Sequence, residues 1–74
     1  MKNRQNDRLL EYMRKRHGMG ITQAEAIEDL GIYRLVARIS DLRHMGYTIE
    51  RKMRKVMSRD GRWVYIAEYK LREE

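Results

Sequence analysis

Four side chains in the run Gly31–Gly46, GIYRLVARISDLRHMG, have chemistry suited to a nucleic-acid groove: Tyr33, Arg34, Ala37 and Arg38. Arginine can donate twice to the acceptor edge of guanine, and a small side chain can meet a thymine methyl. At about 100° per residue, Tyr33, Ala37, Ser40, Asp41 and His44 share one side of a helix. Arg34 lies between the faces, and Arg38 lies near a seam made by Leu35, Ile39 and Leu42, which Val36 and Met45 border. The plain alternative for Ala37 is that alanine is the best helix former. Asp41 can accept from a cytosine amine, but a carboxylate is repelled by phosphates. It stands three residues after Arg38, where helical neighbours meet, so orienting Arg38 is its expected role.

A second set of candidates lies downstream. Over residues 47–62, Arg51, Lys52, Arg54, Lys55, Arg59 and Arg62 stand against only Glu50 and Asp60. Alternation puts Lys52 and Arg54 on one strand face, while Arg59 and Arg62 surround a turn containing Asp60-Gly61, a strong hairpin signal. Such a hairpin can lie along phosphates or drop an arginine into a minor groove. Phosphate contact supplies affinity and salt dependence without specifying sequence. A charged edge strand that resists edge-to-edge pairing accounts for some of these cations, though less easily for their uniform sign.

The 74-residue chain carries a formal net charge of +6, which draws polyanions. Surface charge kept for solubility is the plainer explanation, but here the charge is sorted by segment. Residues 21–32 hold Glu25, Glu28 and Asp29 with no base, whereas the first segment is basic through Lys2, Arg4, Arg8, Arg14, Lys15 and Arg16. Without cysteine there is neither a disulfide framework nor a Cys-based zinc site. His17 and His44 sit on different elements and match no metal spacing. No nucleophile, base and orienting group can be argued together, so neither an enzyme nor a cofactor is expected. No apolar run approaches the roughly 20 residues of a bilayer span, and MKNRQNDRLL lacks the apolar middle of a signal peptide. The expectation is a cytosolic protein with no membrane partner. It would form one domain over residues 1–74, with a core at about 7–71 and short flexible ends.

The elements that must position these residues follow from local signals. A first helix is expected to start at Asn6 or Asp7, either of which can cap its opening turn. Leu9, Leu10 and Met13 form its apolar face, and Gly18 can take the left-handed stop. Ile21 is a short extended anchor. Thr22-Gln23-Ala24-Glu25 matches a capping box and opens a second helix with Ala26, Ile27 and Leu30 inward, ended by Gly31. The third helix is expected over 33–45. Two helices separated by a short glycine-containing turn form a helix-turn-helix unit. Thr22, Gln23 and the start of the second helix are then expected to meet the phosphate backbone, where free amides favour anions. Beyond Gly46 the period changes to a strand from Tyr47, a turn at 58–62 and a return strand. On that strand Trp63, Tyr65, Ala67, Tyr69 and Leu71 share one face, and Val64, Ile66, Glu68 and Lys70 the other. The fold class is α+β: three helices, then a two-stranded hairpin, with Ile21 as a candidate third strand.

This order, with a basic hairpin after the third helix, resembles a winged helix-turn-helix. More narrowly, ITQAEAIEDLGIYRLVARISDLRHMGYTIE resembles small helix-turn-helix proteins of bacteriophages and prophages. Their pattern is roughly I-T-x-x-E-A-x-x-x-L-G-I-x-R-L-x-A-R-I-x-D-L-R-x-x-G-Y-x-I. Ile21, Thr22, Glu25, Ala26 and the Leu30-Gly31-Ile32 run match it, as do Arg34, Leu35, Ala37, Arg38, Ile39, Asp41, Leu42, Arg43, Gly46, Tyr47 and Ile49. The basic hairpin and Tyr69-Lys70-Leu71 look like the family's wing and last strand, so the likeness covers about residues 7–71. It implies a DNA-binding domain, and with it a transcriptional regulator in the cytoplasm of a bacterial host, associated with the nucleoid.

Duplex DNA is therefore the expected partner, with the third helix in the major groove and the 51–62 hairpin on the backbone or in a minor groove. One such helix reads few base pairs, which leaves room for a homodimer or tandem binding. The alternative class is a protein–protein adaptor, or a recombination-directionality or architectural factor, with Met53 and Met57 as an adaptable patch. A third is single-strand binding with Trp63, Tyr65 or Tyr69 as stacking platforms, although strict alternation makes a core role the simpler expectation for those aromatics. The expected core is Leu9, Met13, Ile27, Leu30, Leu35, Ile39, Leu42, Ile49 and Trp63.

Overall fold

A computed structural model describes residues 4–16 and 19–73. Gly18, the expected stop of the first helix, lies outside them, as do His17 and part of the expected flexible ends. Along the chain run α1 (Arg4–Lys15), β1 (Ile21–Thr22), α2 (Gln23–Glu25), α3 (Leu35–His44), β2 (Thr48–Met57) and β3 (Trp63–Arg72). Between α2 and α3 the second helix continues without a break as a π-helical segment, Ala26–Leu30. The expected order of three helices and a hairpin holds, and so does the third strand. Ile21 pairs with Tyr69 and Thr22 with Glu68, giving an antiparallel sheet of order β1-β3-β2.

In α1 the buried stripe is Leu9, Leu10 and Met13, and Arg14 and Lys15 sit in the last turn, where the helix dipole favours cations. Asn6 does not cap this helix. It lies within the helix, buried, and donates from Nδ2 to Asp41 Oδ2 on α3 at 3.3 Å. A tertiary partner has overridden the local capping preference.

The capping box forms as expected: the Glu25 amide donates to Thr22 Oγ1 at 3.3 Å and the Thr22 amide to Glu25 Oε1 at 3.1 Å. The helix then widens. Gly31 takes φ 68°, and the amide of Ile32 reaches back to the carbonyl of Ala26 at 3.0 Å. A π turn closes i→i+5 bonds, so a count at 3.6 residues per turn misplaces the side chains beyond Ala26. Ile27, expected inside, is 37% exposed and Leu30 is only partly buried, while Ile32 in the turn is fully buried.

The stripe on α3 is buried as the spacing predicts: Leu35, Ile39 and Leu42 are at most 1% exposed. The Arg43 guanidinium donates to the carbonyl of Ile49 at 2.8 and 3.2 Å, tying the end of α3 to β2. The pairing runs from Thr48 opposite Arg72 to Met57 opposite Trp63. One face carries Ile49, Tyr69 and the partly buried Ala67 and Leu71 under the helices. Trp63 and Tyr65 lie on that same face yet are 61% and 66% exposed. Trp63 is therefore not a core residue. β2 and β3 are each ten residues long, about 33 Å at 3.3 Å per residue, and the helices cover only the half nearest Ile49.

Candidate nucleic-acid interface

The turn that launches α3 is built by one side chain. Gln23 donates from Nε2 to the carbonyl of Ile32 at 3.0 Å, and its Oε1 accepts the amide of Leu35 at 3.1 Å. Arg34 occupies the N-cap position of α3 without a side-chain cap of its own, so Gln23 supplies the acceptor that an Asp or Ser would normally provide. This frees Tyr33 and Arg34 to point outward. Both lie in the turn, just ahead of the helix that was expected to contain them, and Tyr33 is 73% exposed.

Further along α3, Arg38 is held. Its Nε lies 3.1 Å from Asp41 Oδ2, and Nη1 donates to Gln5 Oε1 on α1 at 3.3 Å. Only 22% of its side chain is exposed. Asp41 accepts from Asn6 as well, so α1 and Asp41 together fix where the guanidinium stands. The orientation expected of Asp41 from its i,i+3 spacing is present. Ala37, one turn from Tyr33, is half-buried.

Two acidic residues of the second helix, Glu25 and Asp29, are engaged by Arg16 and Tyr12 at the end of α1. Arg16 Nη1 donates to Glu25 Oε2 at 2.7 Å and to the Tyr12 hydroxyl at 2.6 Å, and that hydroxyl donates to Asp29 Oδ2 at 2.6 Å. Burial works against the charge on Glu25. The Arg16 guanidinium and the Thr22 amide outweigh it and hold the carboxyl below its ordinary value. Thr22 is buried and committed to the capping box, and Gln23 to the turn.

At the hairpin tip the Ser58 amide donates to the Arg62 carbonyl at 2.7 Å and the Gly61 amide to the Ser58 carbonyl at 3.1 Å, with Gly61 at φ 81°. That is a three-residue loop whose last position needs the left-handed region. Arg54 pairs with Glu68 at 2.6 Å, Lys55 lies 5.3 Å from the centre of the Trp63 ring, and Arg62 is 3.7 Å from Asp60. Arg34, Lys52 and Arg59 form no ion pair among the described residues.

The three helices, the glycine turn between the second and third, and the basic hairpin after them decide the assignment together with a family comparison. A family model described as a winged helix-turn-helix domain matches residues 4–74. The chain belongs to that family. No curated protein and no solved structure matches it.

The winged helix-turn-helix family suggests DNA as the partner, and the β2–β3 hairpin is its wing. Among the described residues no helix is long and apolar enough to cross a membrane. No group of three His, Cys, Asp or Glu is placed to hold a metal among them. The candidates fall into distinct environments in this frame. Tyr33, Arg34, Lys52 and Arg59 are exposed and, among the described residues, unpaired; Arg38, Arg54, Lys55 and Arg62 are exposed or half-exposed with a partner; Thr22, Gln23 and Asp41 hold the scaffold. Sequence reasoning missed Gln5 and the tertiary role of Asn6, whose partners lie 33 and 35 residues away. It also missed the role of Gln23 across the turn. No local pattern carries either signal.

Proposed function

We propose that this chain binds duplex DNA in a sequence-dependent way and acts as a regulator of transcription. Its α3 would lie in the major groove and its wing along the backbone or in the neighbouring minor groove. The observation that carries the reading is the pair Tyr33 and Arg34. They are exposed at the N-terminal end of a helix whose opposite stripe, Leu35, Ile39 and Leu42, is fully buried. Helix-turn-helix proteins meet base edges with that end of the helix. Arg34 can take a guanine edge in two parallel bonds, and the half-buried Ala37 permits close approach. An α-helix is about 10–12 Å across with its side chains, which suits a major groove about 12 Å wide.

Lys52, Arg59 and Arg62 on the wing supply phosphate contacts and the salt dependence that comes with them. The likeness to small phage and prophage proteins favours a role on a phage or prophage genome. Homodimeric or tandem binding would extend the few base pairs that one α3 reads. Selection of bound duplexes from a random pool tests the reading. Recovery of a shared motif whose affinity falls steeply with salt is expected. Absence of duplex binding at low salt, with the protein folded, overturns it. Co-purification with a protein partner that survives nuclease would favour an adaptor instead.

A further inference from the structure

The half of the wing that projects beyond the helices carries an apolar face for which the fold has no use. Met57 stands opposite Trp63 across the strands, Lys55 opposite Tyr65 and Met53 opposite Ala67, all on the face that holds Ile49 and Tyr69 further in. Trp63 and Tyr65 are 61% and 66% exposed, and Met57 and Met53 are 51% and 48% exposed. Scattered apolar residues on a surface need no explanation, but contiguous ones mark interaction sites. This chain has one tryptophan and no phenylalanine, and that tryptophan lies outside its core.

The surroundings of the patch select its occupant. Lys55 lies over the Trp63 ring at 5.3 Å, and Arg59 and Arg62 follow at the tip. Asp60 is the acid at the tip, and it is engaged by Ser58 and Arg62. Cations around a flat apolar face complement a polyanion whose interior is made of stacked rings. A second copy of the chain fits badly, since two such faces laid together would bring Lys55, Arg59 and Arg62 of one against the same cations of the other. Reach is sufficient. Met57 is eight residues beyond Ile49, about 26 Å at 3.3 Å per residue, whereas half a duplex turn is about 17 Å.

We infer that Met57 and Trp63 form a wedge that enters the minor groove beside the groove occupied by α3, parts a base step and bends the duplex. Lys55, Arg59 and Arg62 hold the flanking phosphates. Apolar wedges of this kind kink DNA toward the major groove. The inference rests on the duplex-binding reading above and adds a deformation that phosphate contact alone does not produce. It also predicts a preference for flexible pyrimidine–purine steps under the wing, at a position where no side chain reads a base edge.

The test uses the full chain and a duplex of about 30 base pairs carrying a selected site, with a fluorophore at each end. Wild-type protein is expected to shorten the end-to-end distance and to quench the fluorescence of Trp63. Trp63→Ala should abolish the bend and weaken binding about tenfold at every salt concentration, the low end of what aromatic–base stacking contributes. Its salt slope should be unchanged. Trp63→Phe should retain most of the bend. Arg59→Ala with Arg62→Ala should flatten the slope instead. Thermal melting checks that each variant is folded. Duplex that binds yet stays straight, or Trp63 fluorescence that does not respond, overturns the wedge and leaves duplex binding standing. Tighter binding to an unpaired oligonucleotide overturns it in favour of strand stacking. No duplex binding at all overturns both readings.

Discussion

The amide of Leu35 donates to the side chain of Gln23 at 3.1 Å, so a residue in the first turn of the second helix caps the third. The same side chain holds the Ile32 carbonyl at 3.0 Å. Both ends of the turn are thereby fixed by one amide group, and the exposed Tyr33 and Arg34 are carried between them. Gln23→Ala removes a cap and leaves a carbonyl without its partner. A loss of about 1–2 kcal/mol in urea unfolding is expected, together with weaker duplex binding, since the turn would no longer hold Arg34 in place.

Arg38 and Asp41 should act as a unit. Their ion pair is 3.1 Å long, and Asp41 is itself held by Asn6. Asp41→Ala would release the guanidinium, and Asp41→Ala and Arg38→Ala should not add in duplex affinity. A double-mutant cycle measured by titration should return a coupling of about 0.5–3 kcal/mol. Additive effects would mean that Asp41 does not position Arg38.

Duplex binding should weaken linearly in a log–log plot against salt, with a slope of about −0.9 per phosphate contacted. Arg59→Ala and Arg62→Ala should each reduce that slope by about one unit. Arg34→Ala should instead relax the base preference at one position of the selected motif, at a cost of about 1–3 kcal/mol.

Stability should follow the observed core. Ile32→Ala, at a fully buried position in the turn, should cost about 2–5 kcal/mol. Trp63→Ala, at a position 61% exposed, should change stability by no more than about 0.5 kcal/mol. Urea unfolding of the two variants separates the positions cleanly.

Acidification should loosen the contact between α1 and the second helix. The folded carboxyl of Glu25 titrates below the ordinary glutamate value of 4.5, because the Arg16 guanidinium and the Thr22 amide outweigh the effect of burial. Its contribution is therefore complete above about pH 4.5 and is lost as pH falls through the lower folded value, because the unfolded chain binds the proton first. Thermal melts between pH 6 and pH 3 should show a fall in stability that is smaller in Glu25→Gln.

Much of this molecule was legible in its residues because the signals are local. The capping box at Thr22 and Glu25, the helix end at Gly31, the stripe of Leu35, Ile39 and Leu42 and the hairpin turn at Asp60-Gly61 each depend on neighbours within a few positions. The expectations that failed are those a local count cannot support. Ile27 was placed inside by an α-helical period where the backbone makes a π turn. Asn6 was read as a cap because its partner Asp41 is 35 residues distant. Trp63 was placed in the core because alternation reports which face a side chain is on, but not how far the covering layer extends.

By itself, then, the sequence determined the order of the elements, the faces they bury, the sign of the charge on each and the family resemblance. These follow from hydrophobic period, turn chemistry and composition, which act over a few residues at a time. Only the tertiary structure decided which cations are committed and which are free, that Gln23 builds the turn before α3, and that the aromatic end of the wing lies outside the core. Those outcomes depend on distances between segments far apart in the chain, and on a helical layer shorter than the strands beneath it.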